Sequence, residues 1–416
     1  MNTQPRPLRD DLGSTIAFVV AAAVGLAATF DISYIGHIYL AELMLMPIGA
    51  WFVLRGRVRE IRFSRWKTML AFFILGSLGY VASDLIVHSL PEDYLRGWAR
   101  LAFLFTNVVG FIALMRRHVS GLVGYLCGSA AIGLALNLAN HAALSEWKFG
   151  WAAPISLAGV LLTYRLERNA SVIALVLLGG VNIFMDFKSL GIICLVVAGL
   201  SGYVRWGRTS SSIARALVFI TVAIPAIFAA FYVYQLTYRS TEKAARSSDG
   251  ATERVAALET AAHAIIGSPI IGYGSWAKNP EYAAYFIETR ALLRGDAIGA
   301  NADHANNFDL EAIQAHSQIL QAWTEGGIAA AAFFICYAYF LAGIIYYVVV
   351  WRQDDNMTII YLYILISGVW NVLFSPFAGD HRQMVGLAIA VVLCLQATSP
   401  HPGLGPPRPA RRWARR

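Results

Sequence analysis

Apolar residues in this chain come in long runs rather than in alternation. Blocks such as TIAFVVAAAVGLAATF and FFICYAYFLAGIIYYVVV carry no charge and are bounded by short polar stretches, many of them basic. A helix needs roughly 20 apolar residues to cross about 30 Å of hydrocarbon, and windows of that size pick out about twelve candidates. They fall near 14–30, 33–54, 67–90, 98–115, 119–138, 149–164, 170–186, 189–205, 212–237, 318–351, 357–376 and 382–397. The predicted fold is therefore all-α, a polytopic membrane protein. Nine spans lie in 1–237, a long polar loop occupies 238–315, three more spans lie in 316–399, and a basic tail runs over 400–416.

Composition agrees with that reading. The 416 residues are 57% hydrophobic and only 14% charged, with a mean hydropathy of +0.56, too apolar for a water-soluble globule. The net charge of +8 changes the picture only through its distribution. Arg55, Arg57, Arg59, Arg62, Arg65 and Lys67 follow the second span, Arg116 and Arg117 the fourth, and Arg165 and Arg168 the sixth. Arg205, Arg208 and Arg215 follow the eighth, Arg352 the tenth, and RPARRWARR closes the chain. All are even-numbered loops. By the positive-inside rule both termini are cytoplasmic, which puts loop 238–315 on the far face of a bacterial inner membrane. Basic charge here is a topology signal, and nucleic acid is excluded as a partner. Cys127, Cys194, Cys336 and Cys394 each fall inside a span without a CxxC pair, so neither a disulfide framework nor a zinc site is implied. Arg6 and Arg9 before the first apolar run imitate a signal peptide, but further spans follow at once, and the run is read as a retained helix.

The long loop carries helix signals of its own. In Asn279-Pro280-Glu281 an N-cap residue, a proline at the first helical position and an acid near the positive helix end stand in order. YAAYFIETRALLR follows, and Gly295 ends it. A second helix is predicted over about Thr252–Ile266, with Val255, Leu258, Ala262 and Ile265 on one apolar face and Gly267-Ser268-Pro269 as its stop, and both helices are expected to lie against the outer face of the membrane domain. Seven basic residues in the loop face ten acidic ones. An anion would have to be held by a few placed arginines.

Arg254, then the turn Pro269-Ile270-Ile271-Gly272-Tyr273-Gly274, then His316-Ser317-Gln318-Ile319-Leu320-Gln321 and Glu325-Gly326-Gly327-Ile328 stand in that order. This pattern resembles the O-antigen ligase and polymerase superfamily over about 254–334. The resemblance implies glycosyl transfer from an undecaprenyl-diphosphate-linked polysaccharide to a hydroxyl of the lipid A core, at the periplasmic face, without nucleotide, cofactor or metal. It implies Arg254 as the contact to the diphosphate and His316 as base or orienting group for the acceptor hydroxyl. Gly272, Tyr273, Gly274 and Ser317 are expected around the substrates. One element departs: where the family often carries Ser-Arg-Gly, this chain has Lys188-Ser189-Leu190-Gly191. An ammonium supplies charge there but not a bidentate fork.

The residues bear out what such chemistry needs while leaving alternatives open. A guanidinium stays charged and grips two phosphate oxygens, yet Arg254 could equally pair with Glu253 or Glu259. Arg290 and Arg294, four apart on one helical face, form a second candidate clamp or a solvated face paired with Glu288 or Asp296. His316, just before the tenth span, lies beside a positive helix end that favours the neutral, proton-accepting imidazole. Glu325 is read as a structural carboxylate, with Gly326 and Gly327 allowing close backbone approach. Asp303, His304, Asp309 and Glu311 match no metal-ligand spacing. Glu42 and Asp84, inside spans, are expected to pair with Arg100 or His37, and Pro225 to kink the ninth span. No P-loop or dinucleotide fingerprint occurs. A polymerase of the same superfamily is the nearest alternative to a ligase. A transporter of lipid-linked glycans is disfavoured because no internal repeat is visible.

Overall fold

The computed structural model describes residues 12–32, 37–57, 64–116, 118–143, 146–206, 242–294, 312–313, 315–350, 357–377 and 379–397. The structure is almost entirely helical. In chain order it has α1 Leu12–Leu26, a two-residue hairpin of β1 Asp31–Ile32 and β2 Ile38–Tyr39, α2 Leu40–Leu54, α3 Ser64–Val87 and α4 Pro91–Met115. These are followed by α5 Val119–Ala139, α6 Ala152–Thr163, α7 Arg168–Phe184 and α8 Lys188–Trp206. The predicted loop supplies α9 Glu242–Gly267 and α10 Pro280–Arg294. The chain then continues as α11 Gln318–Val350, α12 Met357–Phe374 and α13 Gly379–Ala397.

Among the described residues five helices, in α3, α4, α5, α11 and α12, are long and apolar enough to cross a membrane; α1, α2, α6, α7, α8 and α13 are apolar but shorter. This is a multi-pass membrane protein. Eleven of the twelve predicted spans coincide with an apolar helix, and the ninth, 212–237 with Pro225, lies outside the described residues.

Three boundaries differ from expectation for physical reasons. The second span begins at Leu40, not residue 33, because Asp31 pairs with Tyr39 in the antiparallel hairpin, pinned by a 2.7 Å contact between His37 Nδ1 and Asp31 Oδ2. The fourth begins at Pro91: proline at the first position and Glu92 and Asp93 in the first turn start a helix well before the apolar stretch does. The sixth has only 12 residues, about 18 Å of rise.

Small residues set the closest seams. Gly25 on α1 and Gly128 on α5 let those helices touch: an added Cβ would lie 2.2 Å from Tyr125 O or Ala22 O respectively. Two buried ion pairs then tie early helices to late ones. Glu42 on α2 accepts from Arg382 on α13, Nε at 2.7 Å and Nη2 at 2.5 Å, and from Asn107 Nδ2 on α4 at 3.0 Å. Arg100 on α4 pairs with Glu325 on α11. The expected partner for Glu42, Arg100 or His37, is thus corrected: Arg382 takes that place and reaches only the backbone oxygen of His37, at 2.8 Å. Asp84 accepts instead from Trp98 Nε1 at 2.9 Å and Ser275 Oγ at 2.8 Å.

Candidate functional site

The site stands on three helices, and each is positioned by local chemistry. α10 starts as its sequence dictates, with Asn279 Oδ1 accepting from the backbone N–H of Glu281 at 3.0 Å and of Tyr282 at 3.3 Å. α9 packs on α10 through Ala256, Ala257, Ala261 and Ala264, all fully buried. The apolar face read from the sequence is not the one that meets α10: Val255 and Leu258 are 50% and 56% exposed. Alanines let the two axes approach closely and push the larger residues outward. Tyr273 reinforces the joint, its hydroxyl 3.2 Å from both Ala264 O and Tyr282 Oη. His263 stacks on Tyr285, with ring centroids 5.0 Å apart.

The third helix is α11, and here the glycine signature explains itself. α11 is broken at Gly326 and Gly327, the latter at φ +67°. A Cβ on Gly327 would lie 1.9 Å from Ile270 O, so only glycine admits the turn after α9. The turn is then stitched on: Tyr273 N–H donates to Thr324 O at 2.8 Å, Ile328 N–H to Pro269 O at 3.1 Å, and Trp323 Nε1 to Pro269 O at 2.8 Å. Gly274 N–H donates to Ser83 Oγ on α3 at 2.9 Å, and Ser275 N–H to Asp84 Oδ1 at 2.6 Å. Lys278 pairs with Asp93 at the start of α4 at 3.0 Å. Beneath the turn Glu325 is buried, bound by Arg100, by Tyr80 Oη at 2.8 Å and by Gln321 Nε2 at 3.0 Å. This network agrees with the reading of Glu325 as a structural carboxylate, and His316 lies outside the helix that carries it, since α11 begins at Gln318.

His316 stands two residues before α11. Ser317 closes that end, its carbonyl accepting from Gln321 N–H at 2.8 Å and its Oγ donating to Val372 O at 3.0 Å. His316 Nε2 lies 3.9 Å from Glu253 Oε1 on α9, in ion-pair range but too long for a direct hydrogen bond, with the two side chains 33% and 28% exposed. Glu253 is held below the ordinary carboxylate range, first by its side-chain interaction with the His316 ring, against the opposing effect of partial burial. The positive charges of Arg290 and Arg294 act in the same direction as the ring interaction. An imidazole and a carboxylate thus face each other here, with two guanidinium groups of α10 within electrostatic range of the carboxylate.

The predicted residues sort as follows. His316, Arg290 and Arg294 come together. Arg254, the residue after Glu253, is exposed and makes no described contact with His316. Gly272, Tyr273 and Gly274 form the docking turn, and Ser317 is buried at the start of α11. Lys188 opens α8 and is not among the groups acting on Glu253. Glu253 was not predicted as a site residue, and no signal in the sequence marks it, because its partner arrives from a distant part of the chain. Among the described residues no group of three or more His, Cys, Asp or Glu could hold a metal ion; Asp303, His304, Asp309 and Glu311 lie outside them.

Residues 173–335 match the family model described as O-antigen ligase. That stretch of the chain is similar to the O-antigen ligase family. No curated protein matches it. The matched stretch runs from α7 to the middle of α11 and contains His316, Glu253, Arg254, Arg290, Arg294, Lys188 and the docking turn, so the O-antigen ligase match and the convergence of side chains fall on the same part of the molecule. The resemblance read from the order of short motifs and the family match thus point to the same superfamily over this part of the chain.

Proposed function

We propose that this chain is an O-antigen ligase of the bacterial inner membrane. It would transfer a preassembled polysaccharide from undecaprenyl diphosphate to a hydroxyl of the lipid A core at the periplasmic face. The observation that supports this best is the meeting of His316, Glu253, Arg290 and Arg294 on elements outside the apolar helices. In this reading the acceptor O–H bond breaks as its proton passes to His316, and the freed oxygen pair forms the new bond to the sugar's anomeric carbon. The bond from that carbon to the donor phosphate breaks, and its electron pair leaves with the diphosphate. Arg290 and Arg294, one helical turn apart, balance the charge that develops there. Arg254 on the exposed side of α9 meets the diphosphate from its other side.

Glu253, in the same reading, orients His316 and offsets the positive charge the ring gains with the proton, as carboxylates do for catalytic histidines in general. Gly272, Tyr273 and Gly274 act by holding the loop on the membrane helices rather than by touching sugar. The scheme needs neither ATP nor metal, since the donor is already activated and arginines carry the positive charge.

The deciding experiment offers purified chain the lipid-linked polysaccharide together with a single acceptor. Lipid A core is expected to be glycosylated, without ATP and with chelator present, and a second lipid-linked glycan is expected not to be extended. The opposite result replaces ligase by polymerase; a requirement for added metal ends the metal-independent scheme.

A further inference from the structure

At the end of the bundle where α1 begins, α2 and α4 finish and α5 begins, a cavity of about 310 Å³ opens between the helices. One side of its lining is apolar, with Ile16 and Val20 of α1, Phe52 of α2 and Leu114 of α4. The other is basic, with Arg57 and Arg116. None of the described residues lining it is acidic. The basic rim is built rather than incidental. Arg116 Nη1 donates to the backbone carbonyl of Arg57 at 3.3 Å and the guanidinium lies over the Phe52 ring at 5.9 Å, so Arg116 is anchored beside the Arg57 main chain, and both arginines line the cavity. On the neighbouring face Ser14 Oγ and Ser120 Oγ bond at 2.9 Å, fixing α1 against α5. His118 caps α5, whose positive N-terminal end adds to the field.

The height of this cavity in a bilayer can be read from its surroundings. Arg55 sits over the Trp51 ring at 4.0 Å, and Trp51 is 59% exposed, the arrangement of an aromatic residue at a membrane interface beside a cation. Ile16 and Val20 continue the apolar wall onto the exposed face of α1, at 53% and 36% exposure. An apolar channel that runs into paired cations at the interface is complementary to a molecule with hydrocarbon chains and an anionic head. Basic pockets between helices on the cytoplasmic side recognise lipid head groups by this combination.

We propose that this cavity binds an anionic diacyl phospholipid, with its phosphate between Arg57 and Arg116 and its chains along Ile16 and Val20. The inference is independent of the ligase reading, since the cavity lies between other helices and uses none of the residues of that site.

The test measures thermal unfolding of the full chain in detergent, titrated with phosphatidylglycerol, phosphatidylcholine or inorganic phosphate. Phosphatidylglycerol is expected to raise Tm in a saturable way, as a ligand of the folded state does, while the other two leave it unchanged. Arg57→Gln together with Arg116→Gln should weaken the phosphatidylglycerol effect roughly thirtyfold, about fivefold for each cation near the surface. If losing the Arg116 bond unfolds the protein, Ala17→Leu, which fills the cavity and leaves both cations, should abolish the effect by itself. An equal shift with phosphatidylcholine, an equal shift with phosphate alone, or a shift that survives both sets of variants would each overturn the proposal.

Discussion

His316 gains meaning from what stands beside it. A lone histidine at a membrane interface is ordinarily a hydrogen-bonding residue, but this one faces a carboxylate whose proton affinity is lowered by the ring and by two guanidinium groups. Replacing it by alanine should cut turnover by at least about a hundredfold, the usual cost of a lost general base, in a single-turnover assay on folded protein. Arg290→Ala and Arg294→Ala should each cost about 10² to 10³ if they hold the diphosphate, and wild-type turnover in both would remove α10 from the scheme. Glu253 also makes a prediction about pH. Its folded-state pKa lies below the ordinary 4.5, so its contribution to stability is complete above that value and disappears as pH falls from it through the lowered one. Thermal melts between about pH 6 and pH 3 should show this loss in wild type, with Glu253→Gln lacking that component. The pairing itself was illegible in the sequence. His316 is marked by its motif, whereas Glu253 is one acidic residue among ten in its loop, and only the packing of α9 selects it.

At the scale of elements, what a sequence declares through capping it declares well. Asn279-Pro280-Glu281 fixed the start of α10 to the residue, because those three side chains act on the backbone next to them. The apolar face of α9 was legible in the sequence, but the face that packs on α10 was not, because alanines carry little signal of their own. Where two helices meet through alanine, closeness of approach outweighs side-chain size, and Val255 and Leu258 turn outward. The glycine pair in α11 was legible as a place of close approach, although what approaches, the Ile270 carbonyl, was not. Gly327→Ala should therefore lose at least about 3 kcal/mol, combining a strained φ with an overlap against backbone, and should free the 268–274 turn to limited proteolysis. Gly343→Ala in the same helix is the contrast. An added Cβ there meets nothing within 4 Å, so the change should be neutral or stabilising by up to about 1 kcal/mol. Equal melting temperatures for the two variants would contradict the clamp.

On the scale of the whole molecule, the all-helical membrane architecture was legible because crossing hydrocarbon requires long apolar runs. The partners of the buried charges were not, since periodicity says nothing about which helices become neighbours. Breaking either pair singly, by Arg382→Met or Arg100→Met, strands a carboxylate and should cost about 3–5 kcal/mol. Glu42→Met with Arg382→Met should recover most of that loss. Thermal unfolding of singles and double in one detergent checks this. Each pair joins helices far apart in the chain, α4 with α11 and α2 with α13. Until both members of a pair have docked, Glu42 or Arg100 stands in or beside the bilayer without its counter-ion, so the order in which the helices assemble sets when each charge is neutralised.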